Sequence, residues 1–291
     1  MVIQPEPVLS LGAILGEGPV WVKRDQSLWF VDIKAWRIYC FDPATSAVRS
    51  WPTPEQIGWI LPAKDGAFAV GLQSGIHRFD PATSTFELVH DPEPHLPGNR
   101  LNDATVDRDG RIWFGSMDDA ENQDSGRIYR MELGHAVDMG VSPVCVLNGP
   151  AISPDGTLLY HVDTWKGLIW RSRIGQNGCL SETRVFAEIE TGAGFPDGPV
   201  VDAEGCLWVG LFGGWGVRRY DPDGAMIGQI AFPVANITKI AFGGSDLSTA
   251  FATTARKGLS EAELQAQSLA GDVFAFDAAV CGLPTAEAVL P

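Results

Sequence analysis

The sequence predicts an all-β fold, a six-bladed β-propeller, and three observations carry that reading. The string FDPATS occurs at 41–46 and again at 79–84. Around it a two-strand unit recurs six times at roughly the 40–50-residue period of propeller repeats. The chain also holds 33 Gly and 20 Pro, with turn residues every few positions and almost no helical periodicity.

Each unit opens on an aromatic-rich alternating segment: SLWFVD at 27–32, AFAVGL at 67–72 and RIWFGS at 111–116, then TLLYHVD at 157–163, CLWVGL at 206–211 and STAFATT at 248–254. Tight-turn signals (KDG, RDG, PDG, AEG) precede four of them, glycine supplying the positive φ that a hairpin turn needs. A second short strand follows, from Ile38, Ile76, Ile128, Ile169, Val217 and Val273. Upstream of each unit lies another apolar segment, expected to be the innermost strand of its blade. These begin at Glu17, Gly58, Asn102, Asn148, Asp197 and Thr238. One short helix is expected at 260–267, opened by a Ser cap. Six four-stranded blades use nearly the whole chain, so residues 1–291 are expected to form one domain. A solenoid would repeat at a shorter period, and a sandwich would not repeat FDPATS.

Composition narrows the class of function. The chain has 21 Lys+Arg against 36 Asp+Glu, a formal charge of −15. That field repels phosphate, which argues against nucleic acid or an anionic membrane as partner. Five scattered cysteines with no CxxC pair argue against a disulfide framework and fit a reducing compartment. No signal-peptide pattern opens the sequence, and the longest uncharged glycine-rich stretch, 205–217, is too short to span a bilayer. A soluble cytoplasmic protein, monomeric or weakly self-associating, is the expectation.

Four polar residues fall at one register. Glu17 precedes Trp29 by 12 positions, while Asn102 precedes Trp113, Asn148 precedes Leu159 and Asp197 precedes Trp208 by 11 each. Equivalent positions on innermost strands converge on the propeller axis. Glu17, Asn148 and Asp197 are each followed by Gly-Pro, which lets the strand start bend toward that axis. Two carboxylates and an amide oxygen facing one point repel unless a cation lies between them. An all-oxygen set suits a hard or borderline divalent ion with positions left for water and substrate. The alternative is that these residues cap turns at the strand entrance.

At these residues the chain resembles the gluconolactonase/senescence-marker (regucalcin) family of six-bladed propellers, over essentially its full length. The matching motifs are LGEGPVW at 15–21, NRLNDATVDRDGRIWFGSM at 99–117, LNGPAISPDG at 147–156, FPDGPVVDAEGCLWVG at 195–210 and TTARKGLS at 253–260. The last, with VGLQSGIHRFDPAT at 70–83, is most like bacterial sugar lactonases. The resemblance implies one divalent metal ion, Ca, Zn, Mn or Fe(II), held by Glu17, Asn148 and Asp197. It implies that Arg100 and Asn102 grip substrate oxygens, with a further acid from the loop after Met117; Asp119 is the first choice there and Glu121 the second. Arg100 alternatively pairs with Asp103 or Asp107.

The implied activity is metal-dependent hydrolysis of a sugar lactone, an aldono-1,4- or 1,5-lactone such as xylono-, arabinono- or gluconolactone, with Asp197 as both ligand and general base. A non-catalytic calcium-binding or regulatory propeller is one alternative. A phosphotriesterase-like hydrolase, marked by an apolar pocket rim, is another. The five histidines show no paired spacing and read as structural, His161 as a core residue. No GxSxG elbow is present, and the glycines of 210–216 lead from strand to strand, which excludes a nucleotide loop.

Overall fold

A computed structural model describes residues 3–291 and contains six four-stranded antiparallel sheets. Blades 1 to 5 take their strands in sequence order, from the innermost strand outward. Blade 6 does not. Its three inner strands, Ile237–Gly243, Thr249–Thr254 and Val273–Asp277, are completed by Glu6–Leu9 from the start of the chain. That strand pairs with Val273–Asp277 and closes the ring. The sequence repeat shows only three strands for this blade, because the fourth precedes the first repeat.

The six innermost strands are Gly16–Val22, Ile57–Pro62, Asn99–Val106, Leu147–Ile152, Phe195–Val201 and Ile237–Gly243. Each adjoins its neighbours in the ring, which places all six around the axis. The aromatic second strands were expected to alternate, but Ser27–Asp32, Phe68–Leu72 and Ile112–Asp118 are buried at every position. A propeller sheet is covered on both faces by the adjacent blades, so its inner strands have no solvent side. The outermost strand Ala47–Pro52 is mostly exposed instead. Gly71 illustrates how tightly the sheets approach, since a Cβ there would fall 2.2 Å from the Trp59 indole.

The FDPATS repeat has a local cause. Asp42 accepts hydrogen bonds from the Ala44 amide (2.9 Å) and the Thr45 hydroxyl (2.7 Å), and Asp80 accepts from the Ala82 amide (2.8 Å). Ser46 and Ser84 then adopt left-handed backbone to close the hairpin. A second repeated device, Asp-x-x-Gly-x-x-Trp, pins two blades. The carboxylate of Asp202 accepts from the amides of Glu204 and Cys206, from the Trp208 indole (2.8 Å) and from Arg219 (2.7 Å). Asp107 does the same for Asp109, Arg111 and Trp113. The expected helix is present at Glu261–Ala266, with Ser260 and Glu263 forming a capping box. No helix among the described residues is long and apolar enough to cross a membrane.

Asp202 is fully buried, and its removal leaves the indole and amide donors without an acceptor. Asp202→Ala should therefore cost roughly 2–4 kcal/mol in denaturant unfolding. Truncation of the exposed Asp155 in the equivalent turn of blade 4 should move the midpoint much less. Equal shifts for the two variants would show that the buried carboxylate is not what holds the strand pair.

Candidate active site and metal centre

Every innermost strand carries one extra residue relative to its partner, at nearly the same level. The register slips between Glu17 and Val20, Ile57 and Trp59, Leu101 and Asp103, Asn148 and Ala151, Asp197 and Val200, and Ile237 and Lys239. Such bulges re-aim the side chains beside them. In the x-Gly-Pro strands Gly18 and Gly149 take positive φ, whereas Gly198 is needed for space, since a Cβ there would lie 2.4 Å from Cβ of Lys239.

The bulges correct one expectation. Glu17, Asn148 and Asp197 pair with Val31, Val162 and Gly210, which occupy the same position in their second strands. The residues level with them on the other blades are Trp59, Asp103 and Lys239, paired with Gly71, Gly115 and Thr253. Asn102 is therefore not in their register; it is the unpaired bulge residue one step before Asp103. Blade 3 places its bulge one residue earlier than blades 1, 4 and 5, which residue counting cannot detect.

Glu17, Asn148 and Asp197 nevertheless line one cavity, together with Arg100, Asn102 and Glu121. Both carboxylates are buried, and each accepts only the amide of its own following residue: Gly18 to Glu17 Oε2 at 2.7 Å, Gly198 to Asp197 Oδ1 at 3.0 Å. Among the described residues no cationic side chain bonds to either. Burial, with repulsion from Asp197 and Asp103, pushes the Glu17 carboxyl well above the ordinary carboxylate range. Burial, with repulsion from Asp103, raises the Asp197 carboxyl to about 7. Asp103 is itself neutralised, since Lys239 and the amides of Ala104 and Gly149 donate to it.

The amide orientations follow from one arginine. Arg100 can only donate, and its Nη1 bonds Asn102 Oδ1 at 2.6 Å. Asn102 must then donate Nδ2 to Leu147 O (2.8 Å) and to Asn148 Oδ1 (2.9 Å). Asn148 in turn donates Nδ2 to Thr164 Oγ1 at 2.9 Å. Asn148 Oδ1 is thereby fixed as the oxygen available beside the two carboxylates. No set of three His, Cys, Asp or Glu residues converges among the described residues. The donor set is two acids and an amide, all oxygen and carrying two charges, and it fits a hard divalent cation.

Arg100 is 3% exposed. It pairs with neither Asp103 nor Asp107. Its Nε bonds Asp119 at 2.9 Å, and Asp119 also accepts from Lys34 (2.7 Å) and Gln56 (2.9 Å). Burial alone would raise the Asp119 carboxyl, but the bonds from Lys34 and Gln56 and the charge of Arg100 hold it at about 2. Asp119 thus lies behind Arg100, whereas Glu121 forms part of the cavity wall, paired with Lys257. Lys34, Gln56 and Lys239 lie outside the family-like motifs, and Asp103 and Lys257, though inside them, are tied to the site by contacts between blades 3 and 6. His161 is buried without a charged partner, its pKa lowered to about 3 by burial, and belongs to the core as expected.

A family model described as SMP-30/Gluconolactonase/LRE-like region matches residues 15–256. The chain is 34% identical to a 6-deoxy-6-sulfogluconolactonase of Pseudomonas putida, covering 92% of each. It is 32% identical to an L-arabinolactonase of Azospirillum brasilense, covering 94% of this chain and 91% of that one. A calcium-binding regucalcin from Agrobacterium tumefaciens superposes with a TM-score of 0.93 at 26% identity, covering 100% of this chain and 98% of that one.

The buried acids set a pH signature for metal-free protein. Asp197 titrates near 4 in the unfolded chain and at about 7 when folded. Between those values the folded state keeps a proton that the unfolded chain has released. Stability in chelator should accordingly fall as pH rises from about 4 to about 7. Excess divalent ion should abolish the decline, and Asp197→Asn should flatten it without metal. A wild-type unfolding midpoint that rises over this range in chelator would contradict the arrangement.

Proposed function

The chain belongs to the SMP-30/gluconolactonase/LRE-like family, and from that membership we propose that it hydrolyses a sugar lactone to the aldonic acid in a reaction that requires one divalent metal ion. The observation that carries the metal dependence is the pair of buried, unpaired carboxylates, Glu17 and Asp197, beside the oriented oxygen of Asn148. A divalent ion held by these three would supply Lewis-acid polarisation of the lactone carbonyl and acidify the attacking water. Calcium, manganese, zinc and iron(II) all accept such a set, with calcium favoured by its purely oxygen donors.

The protein's own groups divide the remaining work. Asp197 takes the proton from the water that attacks the carbonyl carbon, a carboxylate being sufficient there because water beside a divalent ion would lose its proton far more easily. Glu17 stays a ligand only. Arg100 spends Nε on Asp119 and Nη1 within its own strand, which leaves Nη2 for a substrate oxygen at the cavity. Asn102 offers the second lone pair of Oδ1 while it orients Asn148. Asp119 is a positioning residue for Arg100, and Glu121 is the acid that meets substrate directly.

The cavity mouth has two characters. Trp165 lines the cavity and makes an edge-to-face pair with Phe195 (4.8 Å, 88°), presenting an aromatic surface suited to the apolar face of a sugar ring. The neighbouring blade 3 wall carries Arg100 and Glu121, suited to hydroxyls. A phosphotriester would need an apolar rim throughout, and this charged wall counts against it. The same metal set would equally serve a non-catalytic calcium-binding propeller, which turnover alone distinguishes.

The first test is a panel of xylono-, arabinono-, glucono- and unsubstituted lactones on chelated protein, followed by add-back of single divalent ions. Hydrolysis of at least one sugar lactone, lost in chelator and restored by metal, is the expected result. Absence of turnover with any ion would favour the binding propeller. In the active protein Asp197→Asn should keep part of its metal affinity yet lose about 10²–10⁴ in kcat at saturating metal, the usual contribution of a general base. Full activity in that variant at verified occupancy would make Asp197 a ligand only.

A further inference from the structure

The blades joined by the Lys257–Glu121 ion pair are 3 and 6, which lie opposite each other in the ring. Glu121 sits in the loop after the second strand of blade 3 and Lys257 in the corresponding loop of blade 6. Both loops open on the face where Arg100 and Glu17 lie, and both side chains line the metal cavity. The pair therefore arches across the channel mouth. Beneath it the cavity measures about 50 Å³, which accommodates a few waters and not a sugar ring. A substrate bound at Glu17 and Asp197 therefore lies within reach of both ends of this pair.

The two backbones are held so that only the side chains swing. Lys257 donates its amide to Ile14 O at 2.9 Å and accepts from Asn236 Nδ2 at 3.0 Å. Glu121 is held in left-handed backbone (φ 58°), by its amide bond to Asp118 O and by the Asp118 carboxylate on the amides of Asn122 and Gln123.

The charges then indicate what replaces the pair. Lys239 neutralises Asp103, and a divalent ion would neutralise Glu17 and Asp197. Lys257 and Glu121, once parted, offer an ammonium with three donors and a carboxylate acceptor, together neutral. Two neighbouring hydroxyls satisfy both at once, one accepting from the ammonium and the other donating to the carboxylate. An unsubstituted lactone breaks the pair and returns nothing.

We propose that Lys257 is a specificity-determining residue: its ion pair with Glu121 latches the mouth, and the hydroxyls of a neutral polyhydroxy lactone open the latch by taking its place. This rests on the lactonase reading and adds to it the means of selecting for a polyol.

The test compares kcat/KM of wild type and Lys257→Met on glucono-1,5-lactone and on δ-valerolactone, which lacks the hydroxyls. The variant should lose turnover of the sugar lactone, chiefly through KM, and gain turnover of the bare one as its latch is gone. The ratio between the two should fall about tenfold or more. A ratio within twofold of wild type overturns the proposal, and metal affinity measured by calorimetry confirms that both proteins hold the same site. If wild type hydrolyses neither lactone, the lactonase reading fails separately. Calorimetric titration of sorbitol into both proteins then decides the latch: weaker binding by the variant supports it, and equal binding overturns it.

Discussion

Two carboxylates that repel each other, buried at the axis with no cationic side chain bonded to either, are the constraint on which the rest of this structure depends. Glu17 and Asp197 come from blades 1 and 5, and only closure of the ring brings them into one cavity. Without a cation the folded chain relieves the burial of these charges, and their repulsion by neighbouring acids, by holding protons, which is why both groups are shifted upward. A divalent ion would be the more economical partner, because it would neutralise both acids and use the amide oxygen beside them. The closing strand Glu6–Leu9 thus supports chemistry from which it is remote.

The second organising feature is the polarity of a hydrogen-bond chain. Asp119, Arg100, Asn102, Asn148 and Thr164 are linked in order, and the obligate donor Arg100 fixes the direction of every later bond. Lys34 and Gln56 hold the far end on Asp119. The orientation of the Asn148 oxygen on blade 4 is therefore decided by polar side chains of blades 1 to 3. Positioning groups of this kind matter as much as the ligands they aim.

Much of the fold was legible in the sequence because its causes are local. The turn chemistry of Asp42 and Asp80 repeats as FDPATS, and burial of the second strands on both faces writes itself as runs of Trp, Phe and Val. The x-Gly-Pro motif likewise exposed Glu17, Asn148 and Asp197, since each bulge needs those backbone properties. Counting misplaced Asn102, because an extra unpaired residue shifts register without changing composition. The burial of Arg100 was not legible, because it depends on Asp119 and Asn102 satisfying its guanidinium. The choice between Asp119 and Glu121, and the parts taken by Lys34, Gln56 and Lys257, depend on contacts between blades that no motif encodes.

The central claim is that these three side chains from separate blades hold one divalent ion. Anomalous scattering from crystals grown with manganese tests it most directly, since the ion reports its own position. The account predicts a single axial peak within about 2.0–2.6 Å of one oxygen each from Glu17, Asn148 and Asp197. A peak bound elsewhere on the molecule, or none at saturating manganese, would contradict it.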